Sequence, residues 1–306
     1  MHKRHFSSLL CPILLLFLIA SAGCGTTKSL VSKVKKEKPY LKKKIMVFPP
    51  IDHSGLPSGK AAEISDSLVE LLKESPRQLF YSPNNILPEN LSLPSEVKTT
   101  KFGVAYYHPA LAKMAKDKNM NALVAAYLPP IEITRGRGGI WPFRYDAEIC
   151  KISMIINAMD VTNGCLYITK FDSEEVAFRS GETFNKNEAF SEVLKEGMPK
   201  ILKRQSSVVI KSLDEEAWTG RILDVSKGVI KINAGKDVGV LTDQLFTVHT
   251  EGESIVCRTG RSIAPLGRKL GEIKTISVME QYSLAAPESG GPFLAGQTIM
   301  FIPQLQ

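Results

Sequence analysis

The chain has no apolar run long enough to span a bilayer as a permanent helix. Its best candidate, Leu9 to Ile19, is eleven residues where roughly 20 are needed. Histidine is scarce as well. Beyond the first segment only His53, His108 and His249 occur, with no H-x-x-x-H and no C-x-x-C, so a metal site has no sequence support. No G-x-S-x-G elbow is present. Of the five cysteines, Cys11 and Cys24 belong to the first segment, which leaves Cys150, Cys165 and Cys257, an odd number. Cys150 and Cys165 sit on two runs joined by the turn-like Asp160-Val161-Thr162-Asn163-Gly164. If Asp160 faces Cys165, then Cys150 faces Glu175 and the thiols stand roughly 33 Å apart along the ladder, far beyond the roughly 7 Å between Cα atoms that a disulfide tolerates. The expectation is free thiols, no cofactor and no enzyme activity.

What is present is charge, unevenly placed. Lys plus Arg number 39 and Asp plus Glu 31, a net charge of +8 over 306 residues. Lys3, Arg4, Lys28, Lys33, Lys35, Lys36, Lys38, Lys42, Lys43 and Lys44 supply ten of the bases against Glu37 alone, so residues 45–306 hold 29 bases and 30 acids. A nearly neutral body excludes a nucleic-acid-binding surface spread over the fold.

Basic residues, the apolar run and then small residues have the layout of a secretory signal over 1–23. Ser21-Ala22-Gly23-Cys24 resembles the bacterial lipobox, which implies that Cys24 is lipidated and becomes the first mature residue; an ordinary signal cut, leaving Cys24 a free thiol, is the alternative. Gly25 after the cysteine implies, by the enterobacterial rule, sorting to the periplasmic face of the outer membrane. One acyl chain holds a protein only marginally, but an acyl chain with a polybasic patch holds it stably. Residues 24–44 lack periodicity and read as a lipid anchor and tether carrying Lys33, Lys35, Lys36, Lys38, Lys42, Lys43 and Lys44. That tether is either a soluble spacer or a contact with phospholipid, lipid A phosphates or cell wall.

The body divides into an α/β (α+β) domain over 45–213 and a small all-β, barrel-like domain over 214–306. The first opens on the apolar run Lys44 to Pro49, then a helix with Ala61, Ile64, Leu68, Leu71 and Leu72 on one face. Strands follow at Leu79 to Tyr81 and Ala122 to Leu128, with a helix from Pro109 between them. A long hairpin, Tyr145 to Met159 and Cys165 to Phe178, precedes a helix over Asn187 to Arg204 that breaks near Gly197 and Pro199. From Trp218 onward, short β runs punctuated by glycine predict a barrel or sandwich: Gly220–Val225, Val229–Asn233, Leu245–Thr250, Gly271–Met279, Tyr282–Ala286 and Thr298–Ile302.

The opening "KIMVFPPIDHSGLPSGKAAEISDSLVELL" and the D-x-x-x-G turn from Asp160 to Gly164 resemble the amino-terminal domain of TolB and its relatives, which include the curli secretion pore family and lipoprotein activators of cell-wall synthases. "GRILDVSKGVIKINAGKDVGVLTDQLFTV", "LGEIKTISVMEQYSLA" and "FLAGQTIMF" are similar to the carboxy-terminal domain of the flagellar assembly protein T family. Thr242-Asp243 stands where that family usually has Gly-Asp. The flagellar protein also has a further amino-terminal domain and no lipid anchor. These resemblances imply a membrane-anchored assembly or stabilising part of an envelope machine such as the flagellar basal body. The alternatives are a secretion pore subunit, a peptidoglycan-synthase activator and an envelope hydrolase.

Several motifs fall short of chemistry. Gly55 to Ala61 lies between strand and helix but is one residue too short for a phosphate loop, and Ala61 replaces the hydroxyl that would hold Mg²⁺, so no nucleotide is expected. Asp52-His53-Ser54 has triad residue types, but sequence neighbours cannot converge as a relay, and Asp52 and Ser54 read as turn formers. Arg135-Gly136-Arg137-Gly138-Gly139 has no strand-to-helix context and reads as a flexible basic loop ending in Ile140-Trp141-Pro142-Phe143. Arg135, Arg137, Trp141 and Phe143 form the candidate interface, toward envelope protein partners or a second copy; the other possibility is that Trp141 and Phe143 pack back onto the sheet.

Overall fold

Five consecutive buried residues, Lys43–Val47, make β1 an inner strand of a mixed sheet in the computed structural model, which describes residues 40–57, 59–82, 99–100, 103–104, 109–179, 185–256 and 262–303. In chain order follow β2 (Ile51–Asp52), α1 (Lys60–Leu72), β3 (Gln78–Tyr81), the short pair β4 (Thr99–Thr100) and β5 (Gly103–Val104), α2 (Pro109–Asp117), β6 (Ala122–Leu128), β7 (Glu132–Gly138), β8 (Tyr145–Asp160), β9 (Leu166–Arg179), α3 (Lys186–Glu196) and α4 (Met198–Glu215). β1 runs parallel to β3 and β6, with Ile45 opposite Phe80 and Ala122. β8 is antiparallel to all its neighbours: β9 takes one edge, while β6 and then β7 share the other.

Alternation places Ile45, Val47, Val124, Ile152, Met154 and Ile156 on one face, against Ile64, Leu68 and Leu72 of α1, Phe190 and Val193 of α3, and Ile201, Leu202, Val209 and Leu213 of α4. Met46, Phe48, Leu123, Ala125 and Met159 point the other way, toward Ala115 and Met120. The expected helix break falls at Gly197, and α4 runs on to Glu215, eleven residues past Arg204.

The second half is β10 (Thr219–Ser226), β11 (Val229–Ile232), β12 (Leu245–Glu251), the short β13 (Ile255–Val256) and β14 (Ser262–Ile263), β15 (Leu266–Val278), β16 (Ser283–Gly290) and β17 (Thr298–Phe301). Six of them close an antiparallel barrel in the order β10-β11-β16-β15-β12-β17. Trp218, Phe246 and Phe301 fill its core with ring centroids 5.9 Å apart in succession. A closed ladder of hydrogen bonds removes the edges that short strands would otherwise expose.

Barrel and sheet belong to one compact unit, Tyr40–Ile302. Leu41 joins the barrel core, Lys42 N–H donates to Val238 O at 2.8 Å, and Trp218 Nε1 donates to Lys42 O at 3.1 Å. Arg221 reaches across to Lys116 O and, at 3.1 Å, to Asn119 Oδ1, and Asn121 Nδ2 donates to Thr219 O.

Three tether assignments are corrected here. Lys43 and Lys44 are 5% and 8% exposed, and Lys42 is bound through its backbone on both sides. The count of positive charges did not register that these lysines lead into a strand. Their aliphatic stems run with the apolar core, and their ammonium groups find partners: Lys43 Nζ donates to Leu213 O and to Glu216 O (2.7 Å), and Lys44 pairs with Asp237. Cys24, Lys33, Lys35, Lys36 and Lys38 lie outside the described residues. The ladder of β8 and β9 also differs by one step: Cys150 faces Val176, because a bulge between Ala158 and Met159 shifts the register. Cys150 is a buried thiol, Cys165 is partly exposed, and Cys257 lies outside the described residues.

Candidate interaction tip

The Arg-Gly-Arg-Gly-Gly motif is not a loop. Residues through Gly138 form β7, which pairs with the far half of β8: Arg135 opposite Glu148, Gly136 opposite Ala147, Arg137 opposite Asp146 and Gly138 opposite Tyr145. The period-two repeat sends the arginines to one face and the glycines to the other. On the glycine face, side chains of β8 occupy the room that a Cβ would need. An added Cβ at Gly136 would stand 2.5 Å from Ile149 Cδ1, and one at Gly138 would stand 2.7 Å from the Tyr145 ring. The Arg179 guanidinium lies 5.0 Å from the centroid of that ring. On the other face Arg135 Nε donates to Glu148 Oε1 at 3.0 Å.

At the end of this ladder Phe143 N–H donates to Ile140 O at 2.7 Å, closing a four-residue turn in which the Trp141–Pro142 peptide is cis. The turn leaves Ile140, Trp141 and Phe143 at 84%, 77% and 83% exposure, the highest of the large apolar side chains among the described residues. The two aromatic rings do not pack back onto the sheet. Arg135, Arg137, Arg144 and Arg179 stand at this end of the hairpin with Asp146 and Glu148, and Arg137 and Arg144 have no ion pair among the described residues. All four sequence-selected interface residues are thus brought together at one end of the sheet.

Other candidates resolve into structural roles. Asp52 Oδ1 accepts from the backbone N–H and the hydroxyl of Ser54, a turn, while His53 Nδ1 lies 3.4 Å from the Tyr127 hydroxyl. Lys60, at the helix entry, pairs with Glu63 at 2.7 Å. Among the described residues no group of three or more His, Cys, Asp or Glu side chains is placed to hold a metal, and no helix is long and apolar enough to cross a membrane.

One cluster went unread in the sequence. Asp160 Oδ1 accepts from the N–H groups of Thr162 (2.6 Å) and Asn163 (3.2 Å), and its Oδ2 accepts from the Tyr167 hydroxyl at 2.8 Å. Lys43 sits with its ammonium 5.8 Å from the Tyr167 ring centroid. Burial pushes the Asp160 carboxyl up from its usual range, raises the Tyr167 hydroxyl strongly, and pulls the Lys43 ammonium down to about 8. The neighbouring cavity, about 190 Å³, is lined by Asp160, Asn163, Glu216, Thr219, Thr250 and Glu251 at the seam between sheet and barrel. Both Asp160 oxygens are engaged, one with the turn and the other with Tyr167 of β9. The available signal was the Asp at the head of a D-x-x-x-G turn; its link to Lys43 joins residues too distant in sequence to be read.

No family model matches the chain, and no curated protein matches it. Solved structures similar to it include a hypothetical protein from Chlamydia trachomatis (13% identity, 57% of this chain and 96% of that one, TM-score 0.33). A lipoprotein from Neisseria meningitidis aligns at 11% identity over 58% of this chain and 100% of that one, with TM-score 0.30. TolB from Acinetobacter baumannii aligns at 10% identity over 84% of this chain and 63% of that one, with TM-score 0.25. Likenesses this loose carry no argument about function. The resemblances to the TolB, curli pore and flagellar families rest on the sequence segments alone.

Proposed function

We propose that the chain is a non-catalytic lipoprotein of the bacterial cell envelope, anchored through Cys24 and serving as an assembly or stabilising component of an envelope machine. The observation that carries this reading is the tip, an exposed apolar turn flanked by arginines that suits contact with an envelope surface, on a body whose candidate catalytic groups are engaged in turns and ion pairs. The lipobox and the five lysines between Cys24 and Pro39 support a membrane location, and the flagellar basal body heads the machines that the sequence resemblance suggests. No nucleic acid, nucleotide or cofactor is assigned. The secretion-pore alternative fits the long β8–β9 hairpin in length only, because nine consecutive residues of β8, Ile152–Asp160, are buried inside the sheet rather than free to line a membrane barrel.

Fractionation of the tagged chain tests this reading. The intact protein is expected with the membranes and the Cys24→Ala variant in the soluble fraction. Equal distribution of the two sinks the anchor. Crosslinking in the intact envelope followed by identification of co-purified proteins then names the machine.

A further inference from the structure

We infer that the Ile140–Phe143 turn is a membrane-contact element that dips into the interface of a bilayer rich in anionic phospholipid. This deepens the reading of the tip as a contact surface, and it holds whether or not Cys24 carries lipid.

Shape comes first. The turn closes the end of a hairpin and leaves three large apolar side chains exposed. A standard protein interface takes roughly 800 Å² and 20–30 residues from each partner, far more than one turn offers. A bilayer asks for no such area, since a few apolar residues add usefully to another attachment. Tryptophan is the side chain most at home where headgroups meet acyl chains, its ring apolar and its N–H able to bond.

Charge points the same way. Arg137 and Arg144 flank the turn without ion pairs among the described residues, and arginine stems can lie along apolar surface while the guanidinium meets phosphate. The tip is also held in shape beforehand. Tyr145 over Gly138 and Arg179 on Tyr145 brace the strands beneath it, so little ordering is left to be done on insertion.

Distance permits the contact. β8 has 16 residues, so roughly 50 Å separates the tip from the end of the sheet where Lys43 and Lys44 enter the fold beside Asp160. The sixteen residues from Cys24 to Pro39 extend to roughly 55 Å at most. An acylated Cys24 and the tip can therefore meet the same bilayer with the hairpin lying along it.

The chain contains two tryptophans, Trp141 at the tip and Trp218 buried in the barrel, so fluorescence reports on the tip directly. The mature chain from residue 24 with Cys24→Ala is titrated with vesicles of phosphatidylcholine alone and of phosphatidylcholine with phosphatidylglycerol. Expected are a blue shift on the anionic vesicles and quenching by lipids brominated near the headgroup end of the acyl chains. Trp141→Ala combined with Phe143→Ala should weaken binding by roughly tenfold to a hundredfold, scored by sedimentation. Arg137→Gln with Arg144→Gln should abolish the preference for anionic over neutral vesicles while leaving the quenching depth in place. Binding without any Trp141 shift would assign the contact to the lysine segment and overturn the inference. So would a photo-crosslinker at position 143 that captures protein rather than lipid in intact cells. Neither result bears on Cys24, whose test is the separate fractionation.

Discussion

The Tyr145 ring covers Gly138 across the β7–β8 ladder, at a distance where even a single added carbon on the glycine would stand 2.7 Å from the ring. The glycine is therefore a packing residue, and the same holds for Gly136 beneath Ile149. Gly138→Val should displace Tyr145 and, with it, the guanidinium of Arg179. The expected loss is about 1–3 kcal/mol, the usual cost of overpacking, read as a lower urea midpoint at unchanged slope. Arg137→Gln on the opposite face should leave the midpoint within about 0.5 kcal/mol of the parent.

A second expectation concerns pH. The Lys43 ammonium titrates near 8 in the fold and near 10.5 when exposed, so between these values the unfolded chain holds the proton that the native chain has released. Stability from this group therefore rises with pH across that window, by about 3 kcal/mol in all. Lys43→Met removes the titrating group, and the difference in unfolding free energy between parent and variant, measured at pH 7.5 and again at pH 10 or so, should change by that order in favour of the parent. A difference that stays constant with pH would show that Lys43 is not held in this buried site.

The barrel core offers a third. Trp218 packs on Phe246, which packs on Phe301, and its indole N–H holds Lys42 O. Trp218→Ala should cost about 3–5 kcal/mol through the cavity it opens. Trp218→Phe keeps most of the volume and should cost less. The tryptophan emission that remains then comes from Trp141 alone, a direct check on its exposure in solution.

Thiol chemistry supplies the fourth. Cys150 is buried, and burial raises its thiol above the ordinary range, whereas Cys165 is partly exposed at the hairpin turn. Maleimide labelling followed by peptide mapping should leave Cys150 unmodified in the native protein and modify it only after unfolding. Native labelling of Cys150 would contradict the buried register of β8.

Much of the architecture was legible because it follows local periods. The long hairpin was announced by the Asp160–Gly164 turn, the helix break by Gly197 and Pro199, and the barrel strands by short β runs between glycines. The readings that failed depended on partners distant in sequence. Arg135 to Gly138 looked like a loop because glycine disfavours strands, yet β8 supplies both the hydrogen bonds and the side chains that cover the glycines. Lys42 to Lys44 counted as tether because composition records charge and not the partners that the end of α4 and the barrel supply. The composition of the tip could be read from the sequence; its exposure could not, since nothing local tells whether Trp141 turns outward.

The seam at Leu41 and Lys42 has a consequence for the order in which the molecule can be completed. The first residues of the described fold take their partners from Trp218 and Val238, some 180 to 200 positions later in the chain. A chain emerging amino terminus first would hold Leu41 and Lys42 without these partners until the barrel had followed, while β1 itself could already pair with β3 and β6. Contacts this remote close slowly. The residues that lead into β1 are thus among the last to be locked in place, and a chain truncated before the barrel would leave Leu41 and the Lys42 backbone without the partners that the barrel supplies.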